Sequence, residues 1–365
     1  MKFQCATQEL LAGVSLASRF VQRQANLPVL SSILLAAEGS AIVLRATNLE
    51  CGVEVVVPAK VTEGGVVAVP GGVFASFLGN ARGKATSASS SGGVLVVETE
   101  RARTSIKTVP HDDFPTLPKV SAEQSFTCRA GDLSKALRSV AHCAAASAIK
   151  PELQSVYLLG EAGKLTAVAT DSFRLAEKTI LLRSKGGVPP MLVPAKNASE
   201  LVRILEGVSG DVEVYYNSNQ ISTHVEGVYY TSRLLDGSFP NYQQIIPKQF
   251  AAEAVVLRED FSHGLKSLAV FSDKFSQISF TVDPKARAVT LSSRNADIGE
   301  ETYTLPATVS GEGVSLTFNG RYLGDGLTAI SGESVRLHIT GAGKPMLIKD
   351  AADDSYLYLA MPMNR

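Results

Sequence analysis

Hydrophobic and polar positions follow one plan three times along the chain. Residues 1–20, MKFQCATQELLAGVSLASRF, alternate briefly as a strand does, pass a polar residue suited to helix capping, and continue as an amphipathic helix. Residues 125–144, SFTCRAGDLSKALRSVAHCA, and 254–271, AVVLREDFSHGLKSLAVF, do the same. A second block repeats too: 33–57, ILLAAEGSAIVLRATNLECGVEVVV, matches 156–180, VYLLGEAGKLTAVATDSFRLAEKTI, and 278–305 follows the same pattern. These are alternating, β-branched strands joined by turns rich in Gly, Asn, Asp or Pro. A second helix follows each block, opening at Val69-Pro70, Val193-Pro194 and Phe318-Asn319, which lie 124 and 125 residues apart. Phe114-Pro115 and Phe239-Pro240, again 125 apart, close two copies, and Met361-Pro362 closes the third. Linkers fall at 116–124 and 247–253. The pattern predicts an α+β protein of three like domains, 1–124, 125–250 and 251–365, each with antiparallel sheets and two helices.

Composition narrows the class. A chain of 365 residues is too long for one core, and 45% hydrophobic with 19% charged residues describes a globular protein. Lys plus Arg and Asp plus Glu both number 35, so a nucleic-acid role requires an uneven distribution of charge. The amino terminus lacks the apolar run of a secretory signal, and no stretch approaches the length of a membrane span. Cys5, Cys51, Cys128 and Cys143 show no paired spacing and read as reduced, buried small hydrophobes. A cytoplasmic protein is expected.

The helices supply the missing asymmetry. In the helix near Asp132, Leu133, Leu137, Val140 and Ala144 make the apolar stripe, while Lys135, Arg138 and His142 share another face. The first helix buries Leu10, Val14, Ala17 and Val21 and exposes Arg19 and Arg23. The third buries Phe261, Leu265 and Leu268 and leaves His263 and Lys266 outside. Lys196 and Arg203 share a face of another helix, Arg82 and Lys84 follow the first copy, and Arg321 opens the last. Any one of these is an ordinary solvated face. Recurrence at matching places predicts a weakly basic surface that meets phosphates without reading bases, and with no interleaved aromatics it favours duplex over single strands.

No phosphate loop, dinucleotide fingerprint, zinc helix or nucleophile elbow is present. The five histidines have no ligand spacing, and Asp112-Asp113 lies in a proline turn whose copy is DGSFP. No metal or cofactor is expected. One cluster does look reactive: Thr170, Asp171 and Arg174 within ATDSFRLAEK could form a hydrolytic or transfer site. Its copy in the first repeat, ATNLECGVEV, keeps the Thr-Asn turn and loses the Phe and Arg. The Thr-Asp part therefore reads as turn chemistry, and Phe173, Arg174 and Leu175 as a display for binding.

The chain closely resembles the bacterial DNA polymerase III β subunits, the β sliding clamps, over its whole length. The likeness rests on the MKF start, a Leu27-Pro28-Val29-Leu30 strand, the Ala169-Thr170-Asp171…Arg174-Leu175 run, DGSFPNY at 236–242, the Phe318-Asn319…Tyr322 helix start and Met361-Pro362-Met363. It implies a non-catalytic processivity factor: a head-to-tail homodimer forming a ring of six like domains, with helices lining a hole for duplex DNA. Arg19, Arg23, Arg82, Lys135, Arg138, Lys150, Lys196, Arg203, Lys266 and Arg321 would face the DNA. Ile106, Ala269 and Val270 would lie at the dimer junction.

The resemblance also implies a cleft between domains 2 and 3 for short linear peptides of polymerases, the clamp loader and repair proteins. Leu153, Thr170, Ser172, Phe173, Arg174 and Leu175 match it from one side. Pro240, Gln244, Ile245 and Phe275 match it from another, and Asn319, Tyr322, Leu359, Ala360, Met361, Pro362 and Met363 complete it. Leu175, Ile245, Leu359 and Met361 would provide an apolar floor, and Arg174 and Asn319 would hold peptide backbone or carboxylate groups. Ser172-Phe173-Arg174 stands where many relatives carry Gly-His-Arg, and Gln244 where a basic residue is common, which implies a pocket more apolar near Phe173 and less cationic near Gln244. A monomeric repeat scaffold that binds proteins without surrounding DNA is the other architecture compatible with the repeats.

Overall fold

A computed structural model describes residues 1–22, 27–120, 124–147, 149–184 and 186–363. Arg23 lies outside the described residues. Six α-helices are present among them, two per repeat: α1 Thr7–Ala17, α2 Gly71–Asn80, α3 Ala130–Ala141, α4 Ala195–Leu205, α5 Arg258–Leu268 and α6 Gly320–Leu327. Among the described residues, strands pair antiparallel within and between repeats. No helix among the described residues is long and apolar enough to cross a membrane. The chain forms two compact units, Met1–Thr127 with Gly207–Leu234, and Cys128–Glu206 with Leu235–Arg365.

The apolar stripes read from the sequence are buried, except that Val21 and Ala144 lie past the ends of their helices and are half-buried. Leu10, Val14 and Ala17 of α1, Leu133, Leu137 and Val140 of α3, and Phe261, Leu265 and Leu268 of α5 all lie in the core. Each first helix packs on the second helix of its own repeat. The expected side-chain caps do not form: Ala6, Arg129 and Leu257 precede the three first helices and make no capping bond. The reason is in the neighbouring chain. Thr7 N donates to Lys84 O at 3.0 Å and Arg258 N to Glu333 O at 2.9 Å, so backbone carbonyls satisfy orphan N–H groups at these helix starts. Among the described residues the one helix with a side-chain N-cap is α6, where Asn319 Oδ1 accepts from Arg321 N and Tyr322 N. A second correction concerns Leu27–Leu30, which is not a strand; Pro28–Ser31 is a 3-10 turn with Pro at its first position, where a missing N–H costs nothing.

In the first unit one sheet runs in the order Lys60–Glu63, Lys2–Ala6, Ala85–Ser91, Val94–Glu98, Arg103–Lys107. A second sheet passes from one repeat to the next, with Val228–Arg233 pairing Cys51–Pro58. The second unit repeats this device. Its nine-stranded sheet joins the repeats where Arg174–Leu181 pairs Tyr356–Ala360, and a four-stranded sheet holds Gly299–Pro306, Ala288–Asn295, Gln277–Asp283 and Val314–Asn319. Main-chain hydrogen bonds rather than side chains alone thus weld consecutive repeats together.

Small residues set how closely helix and sheet approach. A Cβ at Gly326 in α6 would fall 2.6 Å from Cδ1 of Tyr358, a fully buried ring. Replacing a helical Gly by Ala normally gains about 1 kcal/mol, but forcing an extra carbon into a packed core costs about 1–3 kcal/mol. Here the ring has nowhere to go, so the second effect wins. Gly326→Ala should lower the urea midpoint; a raised midpoint would show that Tyr358 yields.

Candidate functional site

The site is built on the turn between the strands Lys164–Thr170 and Arg174–Leu181. Asp171 Oδ1 accepts from Phe173 N at 2.9 Å and Arg174 N at 3.0 Å, and Thr170 Oγ1 donates to Arg174 O at 2.7 Å. Ser172 sits at φ +77°, a left-handed conformation. In the first repeat, Asn48 Oδ1 accepts from Glu50 N and Cys51 N, Thr47 Oγ1 donates to Cys51 O, and Leu49 takes φ +72°. The hydroxyl and carboxylate that look reactive in the sequence are turn-forming groups in both copies.

Arg174, expected to hold peptide backbone or carboxylate groups, is itself held within the chain by three of its donors. Its Nε donates to Asp171 Oδ2 at 2.9 Å, Nη1 to Asp325 Oδ2 in α6, and Nη2 to His142 O at 2.8 Å. The guanidinium lies 4.4 Å from the centre of the Tyr322 ring. It ties the turn, the end of α3 and α6 into one piece. His142 likewise departs from the basic face predicted for it: its ring stacks on Tyr358 at 6.2 Å and 14°, and burial pushes its pKa below the usual imidazole value.

Below the turn lies a cluster of Val168, Leu175, Tyr242, Leu347, Leu357 and Leu359, against which Tyr157, Phe239, Ile246 and Met361 pack. Phe239 stacks on Tyr157 at 4.9 Å, and Tyr242 meets both rings edge-on. Leu175 and Leu359 form the floor as expected, but Ile245 does not. It is 50% exposed, and Ile246 packs in its place, because the 3-10 turn Tyr242–Ile245 shifts which of the two points inward. Leu153, Thr170 and Ala360 are buried beneath the surface rather than displayed on it.

Around this floor stands an exposed rim. Phe173 is 62% exposed, Ser172, Pro240 and Gln244 are exposed, and Met361, Pro362 and Met363 are half-buried. The last strand is held in place by Met361 N donating to Phe173 O at 2.8 Å and Met363 N to Thr317 O at 2.7 Å. Asn319 and Tyr322 reach the site through α6 and Arg174. Phe275, 55% exposed, precedes Ser276, whose carbonyl accepts from Gly320 N at the start of α6. The sequence missed Tyr157, Phe239, Tyr242, Ile246 and Asp325. Only the FP-x-x spacing shared by Leu117 and Tyr242 could have pointed to any of them.

The basic residues read from the helices, Arg19, Arg82, Lys135, Arg138, Lys150, Lys196, Arg203, Lys266 and Arg321, are all exposed. Arg138 is tempered by Glu206 and Arg203 by Glu200 at 3.9 Å. Between α5 and α6 a groove of about 690 Å³ is lined by Lys266, Arg321 and Arg258, the last not anticipated, with Asp273 and Asp325. Ile106, expected at a junction between copies, is 5% exposed and pairs with Leu95 across its own sheet. What its strand offers is an open sheet edge. Ala269 and Val270, expected at the same junction, are exposed, and so is Ile298.

Family models of the DNA polymerase III beta subunit match in succession: the N-terminal domain over residues 1–118, the central domain over 128–241 and the C-terminal domain over 243–364. The chain is 29% identical over 373 residues to the beta sliding clamp of Salmonella typhimurium, with all of both chains covered. To that of Synechococcus elongatus it is 28% identical over 375 residues, covering 100% of this chain and 99% of the relative. Among solved structures, the DNA polymerase III beta subunit of Thermotoga maritima matches with a TM-score of 0.93 and 25% identity, over 100% of this chain and 99% of that one. A sliding clamp of Pseudomonas aeruginosa bound to griselimycin matches with a TM-score of 0.93 and 26% identity over the whole of both chains. With three domains of that fold in that order along its length, the chain belongs to the DNA polymerase III beta subunit family, the bacterial sliding clamps.

Proposed function

We propose that the protein is a DNA sliding clamp: two copies, joined head to tail, surround duplex DNA and tether a polymerase to it. Three domains, 1–124, 125–250 and 251–365, make up each copy. The open edge of Arg103–Lys107 in domain 1 meets the end of domain 3 in the partner copy, where Ala269, Val270 and Ile298 stand exposed. Exposed edges and apolar side chains are what a second chain covers. A protein of this kind works in the cytoplasm and catalyses no reaction itself.

The observation that carries the proposal is the exposed apolar rim of Phe173 and Met361 over a rigid floor, within a chain of this family. Peptide segments of polymerase subunits, the clamp loader and repair proteins insert an apolar side chain there. The DNA surface fits the same task. Scattered exposed cations, Arg138 and Arg203 among them already paired with Glu, attract phosphate weakly; with only a few phosphates neutralised, few counterions are released and the affinity stays low. Topology then supplies retention while weak contacts permit sliding.

Loaded onto nicked circular duplex by a bacterial clamp loader, the protein should remain bound through gel filtration and should be lost once the circle is cut. Equal loss from circular and linear DNA would remove the topological mechanism and leave a protein-binding scaffold.

A further inference from the structure

The junction of the first two repeats is a second edition of the cleft. Cys51 pairs with Ser232 and Gly52 with Thr231, where Arg174 pairs with Ala360 and Leu175 with Leu359. The main-chain tie is copied as well: Arg233 N donates to Glu50 O at 2.8 Å, as Met361 N does to Phe173 O. The same Thr-Asx turn stands above both. Leu117, which is 125 residues before Tyr242, lies 8% exposed over Gly52 as Tyr242 lies in the cluster with Leu175. A Cβ at Gly52 would fall 2.4 Å from Leu117 Cδ2, so glycine is what lets the linker leucine settle there.

A groove of about 430 Å³ opens at this junction, and its chemistry is different at each matched position. Glu50 stands in place of Phe173, Arg233 in place of Met361 and Thr231 in place of Leu359. Thr231 is 3% exposed, lines the groove, and its hydroxyl finds no partner among the described residues. Arg233 is exposed at the groove. An apolar anchor that suits Met361 and Phe173 would desolvate charges and a hydroxyl here without returning hydrogen bonds, which is costly.

We propose that this groove is a second docking site, for an extended partner peptide of polar sequence carrying one carboxylate. The shape follows from the repeated junction: a strand end, a tight turn and a linker leave a channel for extended chain. The charge follows from Arg233. It is the one cation among the described lining residues, so its guanidinium holds a single carboxylate. The two grooves therefore discriminate by chemistry, an apolar anchor at one and a polar, acidic segment at the other.

The site is tested with dodecapeptides selected from a phage-displayed random library against the full chain, then titrated singly by fluorescence anisotropy. Two non-competing classes are expected. One is weakened by Met361→Ala and indifferent to Arg233→Glu. The other carries an acidic residue, keeps its affinity for Met361→Ala, and loses at least about tenfold in Arg233→Glu. Thr231→Val, which removes only an unpaired hydroxyl and keeps the strand, should weaken the second class alone with an unchanged melting temperature. A single mutually competing class, or an acidic class untouched by both Arg233→Glu and Thr231→Val, overturns the proposal. Because the first class reports separately on the proposed cleft, on which this reading rests, its failure and the failure of this groove are distinguishable.

Discussion

Arg174→Ala is expected to lower the free energy of unfolding by about 3–5 kcal/mol, the range seen when one partner is taken from a buried ion pair. The size follows from what the truncation leaves behind. Arg174 and Asp171 side chains are only 13% and 15% exposed, so the Asp171 carboxylate loses its cation where water cannot replace it. His142 O loses its donor, and the Tyr322 face loses the guanidinium stacked over it. Asp325 contributes less, because at 43% exposure it rehydrates. Arg174→Lys should recover only part of the loss, since a single ammonium cannot span three acceptors held in a fork. Urea denaturation of the two variants measures both effects. A loss below about 1 kcal/mol for Arg174→Ala would mean that the three contacts act as an ordinary surface pair.

The same residue shows where sequence reading stops. The turn around Thr170 and Asp171 is legible because its groups bond to residues two to four positions away, and the copy in the first repeat displays the same spacing. Arg174 is not legible in this way. Its most distant acceptor, Asp325, lies 151 residues off in another repeat, and no local pattern announces it. The inward turn of Ile106 and the outward turn of Ile245 escape a sequence reading for a related reason. Alternation in a strand, or the pitch of a 3-10 turn, decides which of two neighbours faces inward, and a shift of one residue reverses the answer. The helix caps fail because Thr7 N and Arg258 N find carbonyls from strands that the sequence alone does not place beside them. Periodic features, the helices with their buried stripes and the three-fold repeat, were readable because they are local or because the chain writes them more than once.

Met361→Ala should weaken binding of a polymerase-derived peptide by roughly thirtyfold, about 2 kcal/mol, the scale of a residue at the centre of a small interface. The substitution is selective. Met361 N is fixed to Phe173 O, so the backbone stays and only the side chain that packs on the floor is removed. Being half-buried, that side chain contributes little to the core, and the melting temperature should scarcely move. Its thioether is also the adaptable part of the wall, able to follow ligands of different shape. Deleting the last five residues should cost more, because it removes the Met363 N bond to Thr317 O together with Pro362 and so takes away one side of the cleft. Fluorescence anisotropy with the same labelled peptide compares the two. Affinity unchanged in both variants would place the peptide site elsewhere on the molecule, and the exposed Phe173 would then need another occupant.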